Sequence, residues 1–399
     1  MPSTNQLSLV GRLIKRETAR IGSDHSLLLT LLIAPLLYAF FYGSIYTYKE
    51  EEGVKLAVVD DDHSSLSRLL TQQVGNAQVV TVFNVPGIEA AKEAMYQGHC
   101  QGFLYIEKGL EQKVKSLKQA HVVVALNAAR FLPSSDLLLS INQTCLTLGA
   151  GVRMQYLQKS EGMNTGGSLQ EVMPVNLDYR PLFNSRSSYG AFLLPGLLAL
   201  ILQQTLLLGL SASVAGERKH RQVGNWLQTS GGSPSMALVG KGAFYLILFA
   251  AYAFFFMTVN FTLLELPMRG SYTSLSIAFL LFIITLIPMG QWIGSLFRDP
   301  LLNVQLMAFS TYPFFLLTGY TFPLQNIPLP LQWLAALLPT TPFINMYQSI
   351  VQAGGTLGQN VQHIIHLILL LFLYTIAALI RLNKLKFQGW HKAGYTGST

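Results

Sequence analysis

Long apolar runs dominate the pattern of hydrophobic and polar positions along the chain. Six stretches contain no Lys, Arg, Asp or Glu: 26–46, 188–215, 242–264, 275–297, 302–322 and 361–380. A helix needs about 20 apolar residues to cross a hydrocarbon core of about 30 Å. The pattern therefore predicts an α-helical polytopic membrane protein with six transmembrane helices. The first stretch lacks a small-residue cleavage site, so we expect a retained anchor rather than a signal peptide.

The segment between the first two spans, residues 47–187, has a different pattern. Short β-branched runs at 54–60, 77–83, 101–106 and 121–127 alternate with helical runs at 64–74, 87–98 and 107–120. Such alternation predicts a compact α/β domain. A longer amphipathic stretch, 134–160, and the run 175–183 lead back to the membrane. We therefore expect an α/β extracytoplasmic domain inserted between spans one and two, followed by a five-span transmembrane domain over 188–382.

Residues 1–25 and 383–399 flank the spans. Apolar and basic positions alternate at helical spacing over 7–21, which predicts an interfacial helix lying on the inner leaflet. Its two faces are Val10, Leu13, Ile14 and Ile21 on one side and Arg12, Lys15, Arg16 and Arg20 on the other. Residues 383–399 are predicted to be a cytoplasmic tail.

Charge sets the predicted orientation. The chain is 51% hydrophobic and 12% charged, against about 25% charged for a soluble protein. Its net charge of +8 is not evenly spread, because the flanks 1–25, 216–241, 298–301 and 381–399 hold 13 basic and 4 acidic residues. Residues 48–187 hold 13 basic and 14 acidic residues. Basic flanks face the cytoplasm, so both termini and the loop 216–238 are predicted inside, and no nucleic-acid partner is needed to explain the positive charge.

The chain carries no clear signal of its own catalysis. A phosphate-binding loop is not matched, because Gly240-Lys241-Gly242 has Gly where Ser or Thr should bind magnesium. The acidic run 60–65 is interpreted as a helix cap rather than a metal site. The sequence does not decide whether Cys100 and Cys145 form a disulfide in an oxidising compartment. We expect a transport subunit with no cofactor in this chain.

Polar groups inside the spans are amides and hydroxyls rather than charges. An ion-coupled transporter generally needs an ionisable residue within the membrane, and these spans contain no Asp, Glu, Lys or Arg. The groups are Gln203, Gln204, Gln291, Thr318 and Tyr320. Two interpretations remain open, namely bonding to a neighbouring helix and lining a transport path.

The segment 316–345 is apolar and uncharged but broken by prolines. The overlapping run "TGYTFPLQNIPLPLQWLAALLPTTPFINMYQSIVQAGG" resembles the hallmark of type-2 ABC exporter permeases. Matching positions are Thr318, Gly319, Pro323, Pro328, Leu338, Pro339, Pro342 and Gly354. The resemblance implies an external re-entrant helix pair over 323–360, broken at Pro323, Pro328, Pro339 and Pro342. A pair of amphipathic helices on the membrane surface is the alternative.

The loop after the second span is similar to the cytoplasmic loop of the same family. Glu217, Arg218, Gly224 and Leu227 match it, whereas Asn225 and Gln228 depart from it. We expect Gly224 to permit a sharp turn beside exposed Trp226 and Leu227. Exposed aromatics with cations are typical of protein interfaces. The predicted ATPase coupling residues are therefore Glu217, Arg218, Gly224, Trp226 and Leu227. The N-terminal helix is predicted to form the other side of the ATPase contact through Arg12, Lys15 and Arg16.

The resemblance also implies partners. It implies two ABC ATPase subunits, which would hold ATP and magnesium, and a homodimer or heterodimer with a similar permease in the bacterial inner membrane. Membrane lipids are expected neighbours, and an extracytoplasmic adaptor is left open. The predicted path for an amphiphilic substrate is lined by Gln203, Gln204, Thr318, Gly319, Tyr320 and Phe322. The alternatives are an ATP-independent secondary transporter or channel, and a membrane-anchored sensor or scaffold that acts through its outer domain.

Overall fold

The computed structural model describes residues 4–45, 53–116, 118–160, 189–263, 266 and 268–394. The chain divides into two compact units. One, here called the helical unit, comes from residues 1–47 and 182–399, and the other, the α/β unit, from residues 48–181. The predicted run 175–183 lies outside the described residues.

Helix α1 (Thr4–Ser23) is amphipathic, as predicted. Leu13, Glu17 and Ile21 follow one another at four-residue spacing and are buried, whereas Arg12 and Lys15 are exposed. Residues four apart share one face of a helix. The buried face of α1 packs against protein, so an acidic side chain enters the core together with two apolar ones.

The first span, α2 (His25–Ile45), begins at a capped end and contains a loosened turn. Asp24 accepts hydrogen bonds from the backbone N–H groups of Ser26 and Leu27 at 3.0 and 3.2 Å. Leu29–Ile33 is a π-helical turn. The Tyr252 hydroxyl donates to the Leu31 carbonyl oxygen at 2.9 Å, which ties this turn to the third span.

The α/β unit is built on a four-stranded sheet of order β2-β1-β3-β4. Strands β1 (Val54–Asp60), β2 (Val80–Asn84) and β3 (Gly102–Ile106) are parallel, and β4 (Val122–Leu126) is antiparallel to β3. Leu56 of β1 pairs with Val82 and with Gly102. Strand β1 is buried along nearly its whole length, as expected for the centre of a sheet covered on both faces.

Helices alternate with these strands, as predicted. They are α3 (Ser65–Gly75), α4 (Ile88–Tyr96), α5 (Leu110–Lys115) and α6 (Phe131–Ser160). Two predicted elements, the second strand and the helix over 107–120, had wrong bounds. The second strand starts at Val80 rather than 77, because Ala77 still belongs to the turn that ends α3 and accepts a hydrogen bond from the N–H of Val80 at 2.9 Å. The helix predicted over 107–120 is only α5.

The acidic run 60–65 caps helices. Ser64 and Ser67 form a reciprocal capping box at the start of α3. Asp60 accepts a hydrogen bond from the Ser67 hydroxyl at 2.7 Å. Asp62 accepts from the backbone N–H groups of Gly109 and Glu111 at 2.6 and 3.1 Å, and so holds the start of α5.

The two cysteines do not form a disulfide. Cys100 packs with Ala57 and Phe103 in the hydrophobic cluster on one face of the sheet. Cys145, on α6, packs against the separate cluster that contains Leu56 and Leu104. Both thiols are free, because neighbouring residues of a strand direct their side chains to opposite faces and the sheet lies between the two sulfurs.

Among the residues that the structure describes, the helical unit holds six helices that are long and apolar enough to cross a membrane. They are α2, α7 (Tyr189–Lys219), α9 (Pro234–Leu263), α10 (Tyr272–Leu296), α11 (Pro300–Leu317) and α14 (Val361–Gly394). A short helix, α8 (Val223–Thr229), joins α7 to α9. Most of α7 is buried, whereas α11 has a largely exposed surface. Helix α7 is therefore the centre of this unit, and α11 lies at its periphery.

The proline-rich segment after α11 forms two short helices, α12 (Leu329–Ala336) and α13 (Thr340–Val351). Helix α11 ends at Leu317 rather than at the predicted 322, because Gly319 adopts a left-handed φ of +83° that a helix cannot continue. Pro328 and Pro339 immediately precede α12 and α13. Pro342 is not a break. It lies in the first turn of α13, where its missing N–H costs no hydrogen bond.

Candidate functional site

A buried ionic cluster joins α1 to the adjoining ends of α7 and α9. Glu17 from α1, Glu217 from α7 and Lys241 from α9 each expose 1% of their surface or less. The Lys241 ammonium lies 2.7 Å from a Glu17 carboxylate oxygen and 3.4 Å from one of Glu217. One lysine thus bridges two carboxylates that belong to helices far apart in sequence.

Two arginines of α1 complete the charge balance around Glu217. Arg16 Nη2 lies 2.7 Å from Oε2, and Arg20 Nη1 lies 2.5 Å from Oε1. Each arginine side chain is about one-fifth exposed. The cluster therefore holds three cations and two anions, and its excess positive charge lies on the side that solvent reaches.

Neutral donors satisfy the rest of Glu17. The hydroxyls of Ser213 and Tyr245 donate to Glu17 Oε1 at 2.5 and 3.0 Å. Burial by itself raises the pKa of the Glu17 carboxyl. The charge and hydrogen bond of Lys241, together with the Ser213 hydrogen bond, outweigh that effect and hold the pKa below its ordinary value. Glu17 is therefore an anion at neutral pH.

Trp226 of α8 covers the cluster. Its indole ring lies 5.2 Å from the Lys241 ammonium, within cation–π range. Its ring N–H donates to the Ala237 carbonyl oxygen at 3.2 Å. The prediction that Trp226 and Leu227 are exposed was wrong, since 1% and 6% of their surfaces are accessible. Helix α8 folds back so that Trp226 covers the cluster on the side of Lys241.

Close backbone approach makes the cluster possible. A Cβ added at Gly240 would collide with the Leu13 side chain, so α1 rests directly on α9. Gly224, by contrast, has no neighbouring atom within 4 Å of an added Cβ, and it lies inside α8. The sharp turn predicted at Gly224 is instead made by Arg221, whose φ is +56°.

The cluster holds helices together and leaves little room for a ligand. The cavity beside Trp226 and Arg218 has a volume of about 10 Å³, about the minimum for one water molecule. Breaking a buried ion pair costs about 3–5 kcal/mol. Helices α1, α7, α8 and α9 all meet at this cluster.

The other predicted coupling residues divide by exposure. Arg218 donates to the carbonyl oxygens of Ser295 and Phe297 at 2.6 and 2.8 Å, and so caps the end of α10. Arg12 and Lys15 are exposed. These two cations and Gly224 are exposed, whereas Glu217 and Trp226 are buried, so a partner protein can reach only the former directly.

Sequence reasoning missed three members of the cluster: Glu17, Arg20 and Lys241. A signal for Glu17 was present, since it stands midway between Leu13 and Ile21 on the apolar stripe of α1. A charge at such a position usually has a buried partner. The sequence around Lys241 indicates only a basic flank and an unmatched phosphate loop.

The predicted path residues on α7 bond to neighbouring helices. Gln203 accepts a hydrogen bond from the Thr340 hydroxyl of α13, and the Gln204 amide donates to the Met307 carbonyl oxygen of α11. Gln204 Oε1 is buried without a hydrogen-bond partner among the described residues. The packing interpretation therefore accounts for Gln203. Their predicted role in a substrate path stays a prediction.

The predicted path residues after α11 are split between core and surface. Thr318 and Tyr320 are buried, and the Tyr320 ring stacks on Phe192 of α7 with ring centres 5.1 Å apart. The Tyr320 hydroxyl donates to the Phe192 carbonyl oxygen and accepts from the Gly196 N–H at 3.2 Å. Phe322 is half exposed. The segment after α11 is thus fastened to α7 through Tyr320.

One family model matches the chain over residues 25–380. Its description is ABC-2 family transporter protein. The match begins at α2 and extends into α14, so it takes in all six candidate spans and the α/β unit. No curated protein matches the chain.

Proposed function

The chain belongs to the ABC-2 transporter family, and on that premise we propose that it is the membrane half of an ATP-driven exporter. Permeases of this family are transmembrane subunits of ABC transporters and normally have no catalytic activity. Two copies, or one copy and a similar permease, would associate with two separate ATPase subunits. ATP and magnesium would bind to those subunits.

The observation that carries the proposal is the buried ionic cluster. In an exporter without its own ATPase site, motion must enter the membrane helices from a partner. Arg12 and Lys15 offer exposed positive charge on α1, and Glu17 and Arg16 on the same helix connect it to α7 and α9. An ATPase that displaces α1 would therefore move the central helix of the unit.

The substrate path is proposed to run between α7 and α11 of two facing copies. Helix α11 packs against α7 and leaves its other side open. That side exposes 80% of Phe309 and 69% of Tyr312. Aromatic and apolar groups favour an amphiphilic substrate, such as a drug or a lipid, moved out of the cytoplasm or the inner leaflet.

The orientation follows from the charge distribution. The ionic cluster, α8 and both termini would face the cytoplasm of the bacterial inner membrane, because basic flanks stay inside. The α/β unit and residues 323–360 would face out. Cysteine at exposed Asn225 should then resist an impermeant maleimide, and cysteine at exposed Tyr96 should react, in a background without Cys100 and Cys145. The reverse pattern would contradict this orientation.

Transport itself tests the function. The chain would be purified with a candidate ABC ATPase subunit and reconstituted in proteoliposomes with a panel of amphiphilic compounds. We expect some compounds to stimulate ATP hydrolysis and to accumulate across the membrane only when ATP is present. Accumulation that follows a proton or sodium gradient and ignores ATP would support a secondary transporter instead.

A further inference from the structure

The α/β unit contains a groove that the transport proposal does not use. It has a volume of about 1140 Å³ and lies between α3, α5 and α6. Ligand pockets commonly have volumes of about 300–1,000 Å³, so a molecule of moderate size fits. All of its lining residues belong to the α/β unit.

The groove has an apolar floor. Leu66 and Leu69 of α3 line it together with Val114 of α5 and Leu148 and Val152 of α6. Leu69 exposes 39% of its surface. Apolar side chains that face a cavity from three helices provide a surface on which a hydrocarbon chain loses contact with water.

Cations surround that floor. Among the described residues that line it, Lys115, Lys118, Arg153 and Lys159 are basic and Glu111 is acidic. That acid is already engaged, since Glu111 Oε1 lies 2.6 Å from Lys115 and accepts a hydrogen bond from Ser65 at 2.7 Å. Across the described lining residues, four cations and one anion sum to a formal charge of +3.

This local charge differs in sign from its surroundings. Residues 48–187 as a whole hold 13 basic and 14 acidic residues. A solvated surface of that composition would intersperse the two signs, whereas the groove collects one sign around an apolar floor. Arg153 also lies over the ring of Tyr156 at 5.6 Å, which places a guanidinium beside an aromatic wall.

From this arrangement we infer that the groove binds an anionic amphiphile, with its apolar chain on the leucine floor and its acidic head group among the lysines. The head group can be that of a free carboxylate or that of a membrane lipid. Binding needs only the α/β unit's own residues, so it is independent of the proposed export and of any ATPase.

Binding would be measured on the full chain in nanodiscs of zwitterionic phosphatidylcholine. The probe is dansyl-undecanoic acid, whose emission rises and shifts to the blue in an apolar site. Lys118→Glu combined with Lys159→Glu changes the groove's charge from +3 to −1 and should weaken saturable binding by about tenfold or more. Leu69→Asp should also weaken binding of the probe, because it places a charge on the apolar floor of the groove. Lys108→Glu, an exposed lysine outside the groove, is the matched control.

Competitors identify the chemistry and its source. Dodecanoate should displace the probe, whereas dodecanol, which has the same chain without a charge, should not. Displacement by dodecanoate alone assigns the groove to free carboxylates, and displacement by lysophosphatidylglycerol assigns it to lipid head groups. Equal displacement by dodecanol, an absence of saturable binding, or equal losses in Lys108→Glu and the double variant would each overturn the inference.

Discussion

Removing Lys241 tests whether the ionic cluster holds α1 to the bundle. Lys241→Met keeps a long side chain beside Trp226 but deletes the ammonium that bridges Glu17 and Glu217. At 2.7 Å, the Glu17–Lys241 attraction amounts to about 6 kcal/mol with an effective dielectric constant of about 20. Desolvation of both groups offsets part of this, and removing one partner of a buried pair costs about 3–5 kcal/mol.

A double-mutant cycle separates this pair from general packing. Glu17→Gln leaves Lys241 with Glu217 at 3.4 Å as its remaining anion, and the variant with both changes leaves no unpaired charge between α1 and α9. We expect the double variant to be more stable than the sum of the single losses predicts, with a coupling energy of about 2 kcal/mol or more. Reversible unfolding in mixed micelles would give the four free energies of unfolding. A coupling energy near zero would refute the assignment of the pair as the fastening of α1.

Three further outcomes follow from the same site. Gly240→Ala should lower the free energy of unfolding by about 1–3 kcal/mol, because the new methyl group collides with Leu13. In the control Gly224→Ala the methyl group meets no atom, so this variant should be neutral or up to about 1 kcal/mol more stable. Equal losses in the two variants would contradict the close packing of α1. Trp226→Ala should cost about 3–5 kcal/mol as a buried aromatic, measured by the same unfolding assay, and a loss below about 1 kcal/mol would show an exposed ring. The pKa of Glu17 is below its ordinary value of 4.5. Its contribution to stability should therefore be complete above pH 4.5 and be lost as the pH falls through the lowered pKa. The melting temperature of Glu17→Gln should respond less to acid than that of the wild type.

The helices and strands were largely predictable because their signals are local. A span requires uncharged apolar length, and the six predicted spans contain none of the four charged residue types. Strand β1 was found within its observed bounds, since "VKLAVVD" is short, β-branched and followed by a capping serine. Local rules also explain the two elements with wrong bounds. A turn that follows α3 delays the start of strand β2 to Val80, and a turn ends helix α5 early at Lys115.

The site was less predictable, because its members meet only through tertiary packing. Glu17 and Lys241 are 224 residues apart, and no local pattern states which face of α1 rests on α9. Trp226 was predicted to be exposed because a short basic loop normally is. Its burial depends on α8 folding back, which brings the ring over Lys241 and beside Val214 and Leu238 of two other helices.

We propose that the ionic cluster passes ATPase motion into the central helix α7. The most direct test is the amount of substrate transported per ATP hydrolysed, measured in proteoliposomes that contain equal amounts of folded complex. Glu217→Gln removes the anion that receives Arg16, Arg20 and Lys241, whereas Asp299→Asn changes an exposed acid and keeps its capping role. We predict that Glu217→Gln hydrolyses ATP with little transport while Asp299→Asn keeps the wild-type ratio. A wild-type ratio in Glu217→Gln would contradict the account.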